Sequence, residues 1–84
     1  MPLFMDVHES MPDGAGAKDV AQAHAADVAT QDKYGVKYHK YWVDEAQRKI
    51  FCLVEAPDAD TADRVHREAH GLVADRIHQV EEGS

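Results

Sequence analysis

Six histidines stand in this 84-residue chain, and two of them define the chemistry to look for. His66 and His70 are four residues apart. On an α-helix that spacing sets them about 40° apart around the axis and one turn apart along it. Their Cβ atoms then lie about 5–6 Å from each other, near enough for two imidazoles to reach one ion. Helical zinc sites use the same pair with a third ligand brought from elsewhere. Glu68 lies between the two but points away, and HREAH is not HExxH, so the segment makes no case for a metalloprotease. The plainer alternative is a solvated pair bordering the core.

Asp6, His8 and Glu55 form a second constellation. Alternation along the first strand puts Asp6 and His8 on one face, and Glu55 shares a face with Phe51 and Leu53 on the third strand. If these two strands lie side by side and parallel, the three polar groups gather near their C-terminal ends, on the face turned away from the helices. One imidazole and two carboxylates suit a divalent ion. They suit a hydrogen-bonded polar cluster at the rim of a sheet equally well, because the face and neighbours depend on strand register.

The remaining reactive side chains carry less. His24 falls on the apolar stripe of a helix with Asp27 one turn on, where a histidine is usually a satisfied core residue or a group orienting a ligand. His39 and His78 fall on strands near the sheet edges and are read as surface groups, held in reserve for a metal shared across subunits. Cys52 alternates with Phe51 and Leu53, so it faces the helices and behaves as a small buried hydrophobe. Tyr34, Tyr38, Tyr41 and Trp42 surround the second strand, where they pack or line a ligand cavity. No Gly-rich phosphate loop and no serine nucleophile elbow is present.

The elements that must position these groups follow from periodicity. Leu3–His8 alternates as a strand, and Glu9–Gly16, with Pro12, Gly14 and Gly16, is a loop. Residues Ala17–Tyr34 take helical spacing, with Ala17, Val20, Ala21, His24, Val28 and Gln31 on one face and Gly35 closing the helix. Val36–Val43 and Lys49–Glu55 read as strands joined by a polar turn. Asp58 caps a second helix whose stripe is Ala62, Val65, Ala69 and Leu72, ended by Gly71. Arg76–Val80 is a last strand and Glu81–Ser84 a frayed tail.

That order is two strand–helix–strand units in tandem. It predicts one α+β domain over residues 1–84, ferredoxin-like, with a four-stranded antiparallel sheet and both helices on one face. Phe4, Phe51 and Leu53 would leave the other face apolar. A second copy of the same sheet covers it most simply, giving a homodimer of the α+β barrel type. A chain this short buries only roughly 60–65% of its unfolded surface, so a partner or a metal is expected to add stability.

The net charge of −7, with nine scattered basic residues, argues against nucleic acid. Cys52 is the only cysteine, which excludes a disulfide framework and suits the cytoplasm. The segment MPLFMDVHES lacks a basic n-region and reaches Asp6, unlike a signal peptide. No apolar run approaches the roughly 18 residues of a membrane span.

The segments FMDVH (Phe4–His8), AHAAD (Ala23–Asp27), KYGVKYHKYW (Lys33–Trp42), FCLVEAPDA (Phe51–Ala59) and VHREAHG (Val65–Gly71) occur in this order. With them the chain resembles, over nearly its whole length, a small actinobacterial family that includes a nickel-binding protein with a ferredoxin-like dimer fold. The resemblance implies a dimer carrying nickel ions (Ni²⁺) on its surface, in a role like sequestration or detoxification rather than catalysis. Imidazole and carboxylate donors by themselves admit copper and zinc as readily. The expected ligands, taken from spacing, are His66, His70, His8, Asp6 and Glu55. The competing function is a small-molecule enzyme or binding protein with a cavity between subunits, Asp6, His8 and Glu55 serving as its acid–base groups.

Overall fold

Strands form where β-favouring residues alternate with polar ones, and helices where apolar positions recur every three or four. In the computed structural model, which describes residues 1–83, the order is β1 (Leu3–His8), α1 (Ala17–Thr30), β2 (Lys37–Asp44), β3 (Lys49–Glu55), α2 (Ala59–Ala69) and β4 (Arg76–Val80). The strands make one sheet in the order β2-β3-β1-β4, every neighbouring pair antiparallel. This is the ferredoxin-like α+β fold. Residues 81–83 carry no regular structure, and Ser84, the end of the expected tail, lies outside the described residues. Among the described residues no helix is long and apolar enough to cross a membrane.

The strands β1 and β3 are neighbours but antiparallel, which corrects the parallel expectation. A strand–helix–strand crossover leaves β2 parallel to β1, and the hairpin after β2 reverses the chain, so β3 must oppose both. The register pairs Leu3 with Glu55, Phe4 with Val54, Asp6 with Cys52 and His8 with Ile50. Partners across a sheet share a face. Phe4, Asp6 and His8 therefore join Ile50, Cys52 and Val54 under the helices, and all six are buried. The expected placing of Phe4 and Asp6 on the open face is reversed.

Helix α1 stops at Thr30, and a single 3₁₀ turn, Gln31–Tyr34, completes the stretch expected to be one helix. Gln31 Oε1 accepts from the Tyr38 backbone N–H at 2.8 Å, drawing this turn towards β2. Gly35 then turns the chain at φ 65°, in the left-handed region that glycine enters without a Cβ penalty. The buried side of α1 carries Val20 and Asp27, while Val28 and Ala21 are exposed. The helix is thus rotated from the stripe that hydropathy alone suggests. Helix α2 begins at Asp58, whose carboxylate accepts from Thr61 N–H at 2.8 Å, and its buried stripe is Ala62, Val65 and His66. Leu72 lies beyond the helix and is exposed. The core beneath both helices centres on Val54, Ala56, Ala62 and Val65, all sealed from solvent. The other face of the sheet carries Leu3, Met5, Phe51 and Leu53, half-buried, with Trp42 exposed.

Candidate metal centre

Three elements bring charge into this core. Alternation on β1 turns Asp6 inward, directly opposite Cys52 on β3. Helix α2 lays His66 over them, one residue beyond the sealed Val65. The rotation of α1 delivers Asp27. His66 sits between the two carboxylates, with Nδ1 2.9 Å from Asp27 Oδ1 and Nε2 2.9 Å from Asp6 Oδ2. Asp6, Asp27 and His66 are all nearly inaccessible to solvent. Tyr38 Oη stands 2.9 Å from the Ala62 carbonyl oxygen and 3.1 Å from Asp6 Oδ2. Around this line, His8 packs edge-on against His66 at 4.9 Å between centroids, and His70 lies 5.1 Å from it.

A charge taken out of water needs a partner, and here each has one. Burial works against ionised Asp6, but the hydrogen bond from His66 and the approach of His8 overcome it and hold its carboxyl far below the usual range. Asp27 is lowered in the same way, with His66 and His70 outweighing burial. Burial also works against charged His66, yet its bonds to Asp27 and Asp6 push it up to about 12. Since both ring nitrogens face carboxylate oxygens, the imidazole is a doubly protonated cation. Burial drives Cys52 up to about 11, so the thiol keeps its proton at neutral pH. Burial, with Asp6 and Asp27 nearby, likewise keeps Tyr38 protonated.

Not every polar atom is satisfied. Asp6 Oδ1, His24 Nδ1 and His70 Nε2 are buried without a hydrogen-bond partner. His70 Nε2 does come 3.1 Å from Asp27 Oδ1, close enough for charge attraction but without hydrogen-bond alignment. Buried polar atoms are normally paired, and exceptions ask for a reason. All three belong to residues at or beside one cavity of about 30 Å³, lined by His8, His24, Asp27, Cys52, His66 and His70 among others. Among the described residues the potential ligand atoms form two groups, each with its atoms within 4.8 Å of one another: Asp27, His66 and His70; and Asp6, His8, Cys52 and His66. Imidazole, carboxylate and thiol donors with unused lone pairs, gathered at a small cavity, fit a divalent transition ion.

The spacing of His66 and His70 does bring their rings together, but His66 points inward where an outward pair was expected. The heptad-like stripe of α2 includes it, because Asp6 and Asp27 offer the partners that make its burial tolerable. Asp6 and His8 are also together, on the helix side of the sheet. Glu55 is not with them. It faces the opposite side at the other end of β1, across from Leu3, and pairs with His39 Nε2 at 2.8 Å. The acid–base trio Asp6, His8 and Glu55 therefore does not converge on one surface. His24, expected to be a satisfied core histidine, lines the cavity with Nδ1 unpartnered and its ring 4.8 Å from Tyr41. Sequence reasoning missed Asp27 and set Cys52 aside. Asp27 had a signal: it continues Val20 and His24 on one face, and a carboxylate on a buried face demands a cation opposite.

A family described as "Nickel responsive protein SCO4226-like" matches residues 4–80. Among solved structures, the chain is similar to SCO4226 from Streptomyces coelicolor A3(2). The two are 40% identical, with 98% of this chain and 99% of that one covered and a TM-score of 0.88. No curated protein matches the chain.

Proposed function

The chain belongs to the SCO4226-like family of nickel-responsive proteins, and from that premise we propose that it binds Ni²⁺ at the cavity between α1 and α2 and holds it in reserve. The observation that carries this reading is the pair of unpartnered buried nitrogens, His24 Nδ1 and His70 Nε2, on two residues that line one cavity with Asp27. Asp27 and His70, whose Oδ1 and Nε2 lie 3.1 Å apart, supply two donors, and His24, across the same cavity, is the third donor, an imidazole that an ion there would draw in. His66 acts as a positioning residue, its Nδ1–H fixing the Asp27 carboxylate at 2.9 Å. Two imidazoles and one carboxylate leave coordination positions open, which suits an ion that is taken up and given back better than one locked into the fold. Sequestration or homeostasis of nickel follows from such a site more naturally than catalysis.

The second part of the reading is a homodimer. Leu3, Met5, Trp42 and Leu53 line a depression of about 470 Å³ on the helix-free face of the sheet, and a second copy of that face is its natural cover. A single buried thiol and no other cysteine suit a reducing cytoplasm.

Calorimetric titration of the metal-free protein with Ni²⁺ tests the site. His70→Ala combined with His24→Ala removes one ion per chain from the measured stoichiometry. Unchanged stoichiometry in the folded double variant refutes the assignment.

A further inference from the structure

The same cavity is walled in part by members of a second donor set, none of which is a ligand in the reading above. Asp6, His8, Cys52 and His66 offer a carboxylate oxygen, two imidazole nitrogens and a sulfur, with ligand atoms within 4.8 Å of one another. All four residues are buried. The set comes from three elements: Asp6 and His8 from β1, Cys52 from β3 and His66 from α2. One atom of the set is unspent. Asp6 Oδ2 accepts from His66 and Tyr38, while Oδ1, with no exposure at all, accepts from nothing and lies 3.5 Å from His8 Nε2.

We infer that these four residues form a second, inner metal site in which Cys52 ligates a thiophilic divalent ion as a thiolate. The inference rests on the family-level reading only in taking nickel as the first probe. The donor chemistry itself selects the class: thiolate and imidazole together favour nickel, zinc and copper over magnesium or calcium.

Charge supports the assignment. Without an ion, Asp6 is an anion, His66 a cation and the Cys52 thiol keeps its proton, so these charges cancel. On ligation the Cys52 Sγ–H proton and the His66 Nε2–H proton leave to solvent, and one divalent ion enters. Thiolate, carboxylate and two neutral imidazoles around that ion again sum to zero. Two protons exchange for one ion, and the core bears no added charge. His66 keeps its Nδ1–H, which Asp27 accepts at 2.9 Å, the carboxylate–histidine–metal arrangement that fixes a ligand's ring. Asp27 thereby connects the inner set to the outer one through opposite nitrogens of one imidazole.

The test uses the full chain loaded with Ni²⁺ alone, read by near-ultraviolet absorption and X-ray absorption at the nickel edge. The expected result is a thiolate-to-nickel charge-transfer band that saturates at one ion per chain, with a sulfur contribution of about half a scatterer per nickel, one Cys52 sulfur averaged over the inner and outer ions. Cys52→Ala abolishes the band and lowers the stoichiometry by one, whereas His70→Ala keeps the band and loses the outer ion. Nickel bound through nitrogen and oxygen donors only, with no band, overturns the inner site and leaves the outer one standing. No nickel bound at all overturns both. Because the wild-type spectrum decides alone, the result does not depend on Cys52→Ala folding.

Discussion

His66 Nε2 and Asp6 Oδ2 lie 2.9 Å apart where solvent does not reach, so the second helix is pinned to the first strand by a charged hydrogen bond inside the core. Asp27 holds the opposite nitrogen at the same distance and brings in the first helix. One imidazole thus joins three elements of the fold, and it lies at the wall of the cavity proposed to take the ion.

Removing one partner leaves an uncompensated buried charge. Asp6→Ala is expected to destabilise the metal-free protein by about 3–5 kcal/mol, read as a lower urea midpoint. Asp27→Ala is expected to cost less, because His70 and solvent lie nearer. A loss below about 1 kcal/mol for Asp6→Ala, the range of an exposed pair, would mean that the bond contributes nothing beyond a surface contact.

The same network sets a pH dependence. His66 holds its proton up to about 12 when folded and to 6.5 when unfolded. Its contribution is full below 6.5 and is lost as pH climbs towards 12. Asp6 and Asp27 are lowered from 3.8, so their contribution is present above 3.8 and disappears as pH falls below it. The metal-free protein is therefore expected to be most stable between about pH 4 and pH 6.5. Urea unfolding at pH 5.5 and pH 8.5 checks this, and a higher midpoint at pH 8.5 contradicts it.

The fold was legible because its signals are local. Alternation over Leu3–His8, the Asp58 cap and Gly35 each mark an element without reference to any other. The site was legible only in part. Helical spacing brought His66 and His70 together, but whether His66 faced water or core depended on Asp6 and Asp27, 60 and 39 residues away in the chain. Strand direction decided the fate of Glu55: had β3 run parallel to β1, it would have stood near His8, and antiparallel pairing sends it to the far end. Asp27 stayed hidden because polarity counts against burial in any hydropathy stripe, and only the tertiary partner reverses that sign.

The helix-free face supports a prediction about assembly. Leu53→Glu places a charge in the middle of the Leu3, Met5 and Trp42 surface. It is expected to weaken self-association by about 2 kcal/mol or more, the scale of a central interface residue. Sedimentation equilibrium of both proteins reads this directly. A wild-type chain that stays monomeric at high concentration removes the dimer from the account.

His39 and His78 neither line the cavity nor join a donor group, and His39 is occupied by Glu55 at 2.8 Å. Replacing both by Ala is expected to leave nickel stoichiometry unchanged in calorimetry. A loss of one ion per chain would instead locate a site on the strand surface.

Anomalous scattering at the nickel edge from crystals of the nickel-loaded protein tests the central claim most directly. The account predicts a peak enclosed by His24, Asp27 and His70, between the two helices. Peaks confined to strand-borne side chains such as His39 and His78, with the space between the helices empty, would contradict it.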